Sequence, residues 1–264
     1  MELACNTYSL RTLSRDAAFR RLRELDLTTV ELWAGHAPYL GPAVWPRDVR
    51  RDAETHGLDL RAYCIGGLFG LAPAVARDRL ERALAFAAEL DVPLVTAIVD
   101  RAFVPTVDAL AMCTGVRVAL ENHWYTELAR PSDVLGALAG CSPAVGAAID
   151  TGHFAFLGYD LGDVAWALGA RTLHVHLKVV RVPGRLARLV RRARRRHRME
   201  PDVPHDGDGL GRFVALLARE GYDGLLAIEH EGDASALVRY RERGRTLVAP
   251  YAKRPASAVE ALHA

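Results

Sequence analysis

Four short runs place a carboxylate or an imidazole directly after an apolar stretch. They are Val118-Ala119-Leu120-Glu121-Asn122-His123, Ala148-Ile149-Asp150-Thr151-Gly152-His153, Leu173-His174-Val175-His176-Leu177-Lys178 and Ala227-Ile228-Glu229-His230-Glu231-Gly232. Glu121, Asp150, one of the two histidines and Glu229 offer oxygen and nitrogen donors and no thiolate, a reasonable ligand set for one divalent cation. A cation held by two Glu and one Asp keeps positions open for two substrate oxygens. The chemistry such a set suits is proton abstraction next to a carbonyl, with a Lewis acid on the developing oxygen anion. Glu121 and Glu229 could then flank the substrate carbon, one removing a proton and the other returning it. If a hydroxyl leaves instead, the same machinery becomes a dehydratase, with His153 and Lys178 as the best available general acids. Each residue alone also reads as a helix cap or a solvated loop side chain. The conjunction of four is what points to a site.

The elements that must position these residues alternate along the chain. β-rich runs are expected at Leu3–Cys5, Thr28–Trp33, Leu60–Ile65, Leu94–Val99, Arg117–Asn122, Val145–Asp150, Thr172–Val179 and Gly224–Glu229, rich in Val, Ile, Leu and Ala like strands buried on both faces. Between them, Arg15–Leu25 behind a Ser14 cap, a segment from Pro46 to Gly57, Ala74–Leu90, Pro131–Leu138, Asp163–Leu168, Gly211–Glu220 and Ser235–Arg243 read as helices. Pro105–Cys113 is poorly patterned for its place. Eight strand–helix alternations predict an α/β fold, a (β/α)8 TIM barrel over residues 1–264 as a single domain. A doubly wound sheet would carry a Gly-rich turn after its first strand, and Cys5-Asn6-Thr7-Tyr8 is not one. In a barrel, strand C-termini open into the active-site mouth, where the four runs deliver their polar residues. His174 and His176 share one face of their strand. His176 is nearer the C-terminal end and is preferred as the ligand, leaving His174 a packed, hydrogen-bonded role.

The sequence resembles the xylose-isomerase-like TIM barrel superfamily, the sugar phosphate isomerase/epimerase group that includes ketose 3-epimerases, inosose dehydratases and 3-dehydroshikimate dehydratases. The motifs that carry the likeness are Thr29-Val30-Glu31-Leu32-Trp33, Leu120-Glu121-Asn122-His123, Asp150-Thr151-Gly152-His153, His176-Leu177-Lys178, and Gly221-Tyr222-Asp223-Gly224 leading into Ile228-Glu229-His230-Glu231-Gly232. The resemblance implies Glu121, Asp150, His176 and Glu229 as metal ligands. It implies a place for His153 against substrate or behind the ligands. Lys178 matches the Lys of a His-x-Lys-Asp run whose Asp is Val179 here. Glu31 matches a pocket-facing position, with a salt-bridged residue of the barrel mouth as its alternative. Trp33, His36, His123 and Trp124 join Glu31 as candidate substrate-binding residues, and Phe69 is a further aromatic in these loops; plain packing is the alternative for all of them. The implied activity is a metal-dependent isomerase or epimerase on a sugar or related polyhydroxy carbonyl compound, with a lyase or dehydratase as the alternative. Manganese, magnesium or cobalt is preferred and zinc remains open.

Composition narrows the rest. The chain has 264 residues, 50% hydrophobic and 25% charged, an ordinary globular balance. No apolar run reaches about 18 residues, so no membrane helix is expected. No signal peptide is read at the start, and four scattered cysteines fit reduced thiols, so the cytoplasm is the expected compartment. Net charge is +2, yet Arg181–Arg198 alone holds nine Arg and no acid. The positive charge is one local insertion, which argues against nucleic acid as the general partner. Its Leu186, Leu189, Val190 and Ala193 follow helical spacing. An exposed amphipathic helix is the plainer reading; attraction of an anionic substrate, an acidic partner and a homo-oligomer contact stay open. An endonuclease IV-like phosphodiesterase would need more early histidines than His36 and His56. A non-catalytic binding barrel would have no use for four ligand-bearing strand ends.

Overall fold

The computed structural model describes residues 1–40, 45–181, 199–205 and 207–251. Eight strands are present: β1 Glu2–Asn6, β2 Thr29–Trp33, β3 Asp59–Gly67, β4 Leu94–Ile98, β5 Arg117–Glu121, β6 Val145–Asp150, β7 Thr172–Leu177 and β8 Leu225–Ile228. Each pairs in parallel with its sequence neighbours and β8 closes onto β1, so the sheet is a barrel in the order β1 to β8. The (β/α)8 TIM barrel read from the alternation is the fold. Closure works because each strand is buried on both faces: Val30, Leu32, Val118, Leu120, Ile149, Val175 and Ile228 turn outward into the main core under the helices.

The inward face obeys a different rule. Side chains alternate with a period of two. Two residues before Asn6, Cys64, Glu121, Asp150 and Glu229 stand Ala4, Ala62, Ala119, Ala148 and Ala227, which form a separate buried cluster with Leu94 and Leu225. The barrel thus has an alanine layer beneath a polar one. Small side chains at that level leave space on the axis, and the fully buried Glu31, Thr96 and His174 fill it.

The helices follow sequence logic closely. Ser14 accepts a hydrogen bond from the Ala17 amide at the start of Arg15–Glu24. Pro46, Pro73 and Pro131 each open a helix, at Pro46–Thr55, Pro73–Glu89 and Pro131–Leu138. The weakly patterned fourth helix exists as Val104–Thr114, with Val104, Val107, Leu110 and Ala111 inward and left-handed Gly115 at its end. One helix, Thr151–Leu157, goes unread in the sequence. It is a short helix, its second residue is glycine, and its start is fixed by Asp150, whose Oδ1 accepts from the His153 amide at 2.9 Å. After β7 the chain forms an antiparallel bridge between Val180 and Pro201. Arg181 lies on it, while the remainder of the Arg-rich segment, 182–198, lies outside the described residues.

Strand ends that must hold polar groups are tied by side chains where the ladder stops. Asn122 bridges β5 and β6: its Oδ1 accepts from the Asp150 amide at 2.8 Å, and its Nδ2 donates to the Asp150 carbonyl at 3.3 Å. Asn122 is buried, so truncation strands a backbone donor and acceptor away from water. Asn122→Ala is expected to lower unfolding free energy by about 2–4 kcal/mol. Urea denaturation of both proteins checks this; a loss below about 0.5 kcal/mol would show that the bridge is dispensable.

Candidate metal centre

At the C-terminal mouth of the barrel, ligand atoms of Glu121, Asp150, His176 and Glu229 all lie within 4.8 Å of one another, and all four residues are buried. They come from the ends of β5, β6 and β7 and from the residue after β8. His176 faces two ways. Its Nδ1 is 3.3 Å from Glu229 Oε2 and 3.8 Å from Glu121 Oε1, while its Nε2 is 2.9 Å from Glu31 Oε2. A carboxylate taking one ring N–H fixes the tautomer and aims the other nitrogen, the usual support of a metal-binding histidine. Here Glu31 is that carboxylate.

Two buried atoms in the cluster make no hydrogen bond: His176 Nδ1 and Asp150 Oδ2. Asp150 Oδ2 has the Lys178 ammonium 2.8 Å away and His153 Nε2 at 3.5 Å, neither in hydrogen-bonding geometry. Asp150 therefore serves as helix cap with one oxygen and ligand candidate with the other. Two unsatisfied donor atoms converging among carboxylates fit a cation. Charge agrees. Burial pushes the Glu121 carboxyl up and nearby Glu229 and Asp150 add to it, against His176, leaving it at about 6. Burial disfavours the His176 imidazolium, but Glu31 and Glu229 outweigh it and hold the ring charged well above the usual range. An ion on Nδ1 would replace that proton.

Glu31 is a correction to the pocket-facing place the resemblance implies. It does not line the open mouth: it is fully buried, its Oε2 receives His174 Nε2 at 3.0 Å as well as His176, and its Oε1 accepts from Thr96 Oγ1 at 2.7 Å. Burial alone would raise its carboxyl, yet the two imidazoles hold it well below the usual range. The cause is register. Glu31 sits two residues short of Trp33, so it points across the axis beneath the ligands.

The other candidates fall into two groups. His153 lies against His123 with ring centroids 3.8 Å apart and planes tilted by 44°, and its Nε2 is 3.5 Å from Asp150 Oδ2 and 3.9 Å from Glu121 Oε1. Neither ring nitrogen has a hydrogen bond. Burial, then Lys178 and the neighbouring imidazoles, keep His153 neutral far below its usual range, and burial brings His123 to about 4. Tyr125 lies 3.9 Å from His123, Trp124 packs on Tyr125 and Phe156, and Phe69 meets Tyr125, so these aromatics form one wall. Trp33 stands edge-on to Tyr8 and His36. His36 is buried and engages the Leu13 carbonyl at 3.1 Å, a packed position rather than an open one. Lys178 is buried against Asp150, Glu229 and Glu231. Gly152 makes room for it: a Cβ there would meet Lys178 Cγ at 2.6 Å.

Sequence reasoning missed several supports. Asn6 at the end of β1 donates to Glu229 Oε2 at 3.0 Å. Thr151 Oγ1 accepts from the Lys178 amide at 2.9 Å and donates to its carbonyl at 2.8 Å. Ser9 Oγ accepts from the His230 amide at 2.8 Å. Asn6 was findable as a polar residue ending an apolar strand; Ser9 and Thr151 carry no such signal.

The sequence profile described as "Xylose isomerase-like TIM barrel" matches residues 19–249. The chain belongs to the xylose isomerase-like TIM barrel family. No curated protein matches its sequence. Solved structures of this family type share its fold. A xylose isomerase-like TIM barrel protein from Mycobacterium smegmatis, solved in complex with magnesium, superposes with TM-score 0.74 at 14% identity, over 94% of this chain and 96% of that one. A protein from Bacillus anthracis described as the "probable 3-DHS dehydratase AsbF" gives 0.71 at 16%, over 93% and 98%. D-psicose 3-epimerase from Clostridium cellulolyticum H10 gives 0.68 at 15%, over 95% and 99%. Among the described residues of this xylose isomerase-like barrel, no helix is long and apolar enough to cross a membrane.

Ligation by Glu121 would require it to lose its proton, so acid would compete with an ion there. Manganese affinity is expected to fall more steeply once pH drops through 6, by up to about tenfold per pH unit from this group alone. Calorimetric titrations at pH 5, 6, 7 and 8 read the slope; equal affinity at pH 5 and 7 would contradict it.

Proposed function

We propose that the protein is a divalent-metal-dependent isomerase or epimerase of a small polyhydroxy carbonyl compound. The observation that carries this is the pair of glutamates on either side of His176 Nδ1, at 3.3 Å and 3.8 Å, within a buried four-residue ligand set. A divalent ion held by Glu121, Asp150, His176 and Glu229, with manganese, magnesium or cobalt preferred, would polarise the substrate carbonyl and stabilise the oxygen anion that develops.

The protein's own groups supply the rest. Glu121 is a buried carboxylate at the site, placed to accept a proton and give it back, as a general base must. Glu229 is the opposite carboxylate, steadied by Asn6 on Oε2 and by Lys178 2.6 Å from Oε1. With a substrate carbon between them, one glutamate removes the proton and the other returns it to the opposite face. His153 and His123, neutral and short of partners, offer ring nitrogens to substrate hydroxyls. The wall of Trp124, Tyr125 and Phe69 gives the carbon skeleton an apolar surface.

One observation favours a dehydratase as the second reading. Lys178 is a buried ammonium beside Glu229, able to donate to a departing hydroxyl once Glu121 has taken the neighbouring proton. A zinc phosphodiesterase has less support: neither His36 nor His56 belongs to a metal-holding group among the described residues.

The test is a panel of ketohexoses, inososes and hydroxy-keto acids in deuterium oxide with manganese present. Epimerisation is expected to place solvent deuterium on the carbon next to the carbonyl, and dehydration to yield an unsaturated carbonyl absorbing in the ultraviolet. Glu121→Gln and Glu229→Gln are each expected to reduce turnover by about 100- to 10,000-fold. Wild-type-like turnover in either variant would sink the two-glutamate mechanism.

A further inference from the structure

Lys178 places an ammonium against the ligand set, and three carboxylates surround it. Its Nζ lies 2.8 Å from Asp150 Oδ2 and 2.6 Å from Glu229 Oε1, and it donates a hydrogen bond to Glu231 Oε1 at 3.0 Å. Asp150 and Glu229 belong to the four-residue ligand group; Glu231 does not. Position 179, next in the chain, is a buried valine. Of the three carboxylates on the ammonium, then, Glu231 alone stands outside the ligand group, and it is a partly exposed one.

A divalent ion and this ammonium need the same oxygens. Two cations on one carboxylate pair repel strongly where water is excluded. The backbone of Lys178 is clamped by Thr151 Oγ1, and its stem lies against Gly152. Glu231 already accepts a hydrogen bond from the ammonium, so a partner outside the ligand group is within its reach.

We propose that Lys178 is a built-in competitor of the catalytic cation, holding Asp150, Glu229 and Glu231 together in the ion-free protein and keeping Glu231 alone when an ion takes the other two carboxylates' oxygens. This rests on the metal-binding reading proposed above. Lys178 keeps the ligand carboxylates apart in the absence of an ion, at the expense of affinity. Glu231 then makes binding possible by giving the displaced charge a partner. Neither role requires Lys178 or Glu231 to touch the ion.

Manganese titration by calorimetry on chelator-stripped protein tests this, using wild type, Lys178→Met, Glu231→Gln and Glu229→Gln. Lys178→Met is expected to bind manganese about tenfold tighter or more, and Glu231→Gln about tenfold weaker, within the range by which residues behind a ligand shell alter affinity. Unchanged or weaker binding by Lys178→Met overturns the proposal. Should that variant fold only with manganese present, the result counts in its favour, and Glu231→Gln still decides: binding unchanged or tighter there overturns it. Wild type that binds no manganese, or Glu229→Gln that binds as tightly as wild type, removes the metal reading itself. Wild type that binds while Lys178→Met fails to tighten removes only the competitor.

Discussion

Four carboxylates, Glu31, Glu121, Asp150 and Glu229, are buried together at one end of the barrel. Unneutralised charge is among the least favourable things a protein interior can hold. Every other feature of the site answers that constraint. Glu31 is met by two imidazoles and a hydroxyl. Glu229 is met by Asn6 and Lys178, and Asp150 by its own helix N-terminus and Lys178. Glu121 has the longer contacts of His176 at 3.8 Å and His153 at 3.9 Å, and burial with the neighbouring Glu229 and Asp150 raises its proton affinity. Low pH relieves this charge by protonation; a divalent cation relieves it while preserving the carboxylate.

The chain of support runs through the middle of the barrel. Glu31 from β2 holds His176 from β7, and Thr96 from β4 holds Glu31. The orientation of one candidate ligand therefore depends on three strands that are not adjacent to one another. Such a link forms only after closure, so the barrel and the site are completed by the same event. The alanines at the level below make this reach possible, because larger side chains on β1, β3, β5, β6 and β8 would fill the axis.

Most of the architecture was legible in the sequence because a doubly buried strand is written locally: a run of branched apolar residues ending in a polar one. Val145–Asp150 reads correctly to the residue, and Arg117–Glu121 differs by one. Thr151–Leu157 did not read as a helix because Gly152 and the short length weigh against it, and its cap is a residue already spoken for by chemistry. The ligand candidates could be collected from strand ends alone. The true place of Glu31 could not, since it depends on the stagger between β2 and β7, which no local pattern encodes. Asn122 was quoted within a motif, but its clasp on Asp150 appears only when β5 and β6 lie side by side.

The alanine layer also decides how the interior communicates with solvent. Ala4, Ala62, Ala119, Ala148 and Ala227, with Leu94 and Leu225 toward the lower rim, make an apolar floor under the polar cluster. No file of water molecules can thread a floor of packed methyl groups, and no proton can hop through it. Among the described residues, this layer separates the polar centre from the lower end of the barrel. A molecule reaching the centre from the mouth would pass the rim that carries Trp33, Phe69, Trp124 and Tyr125.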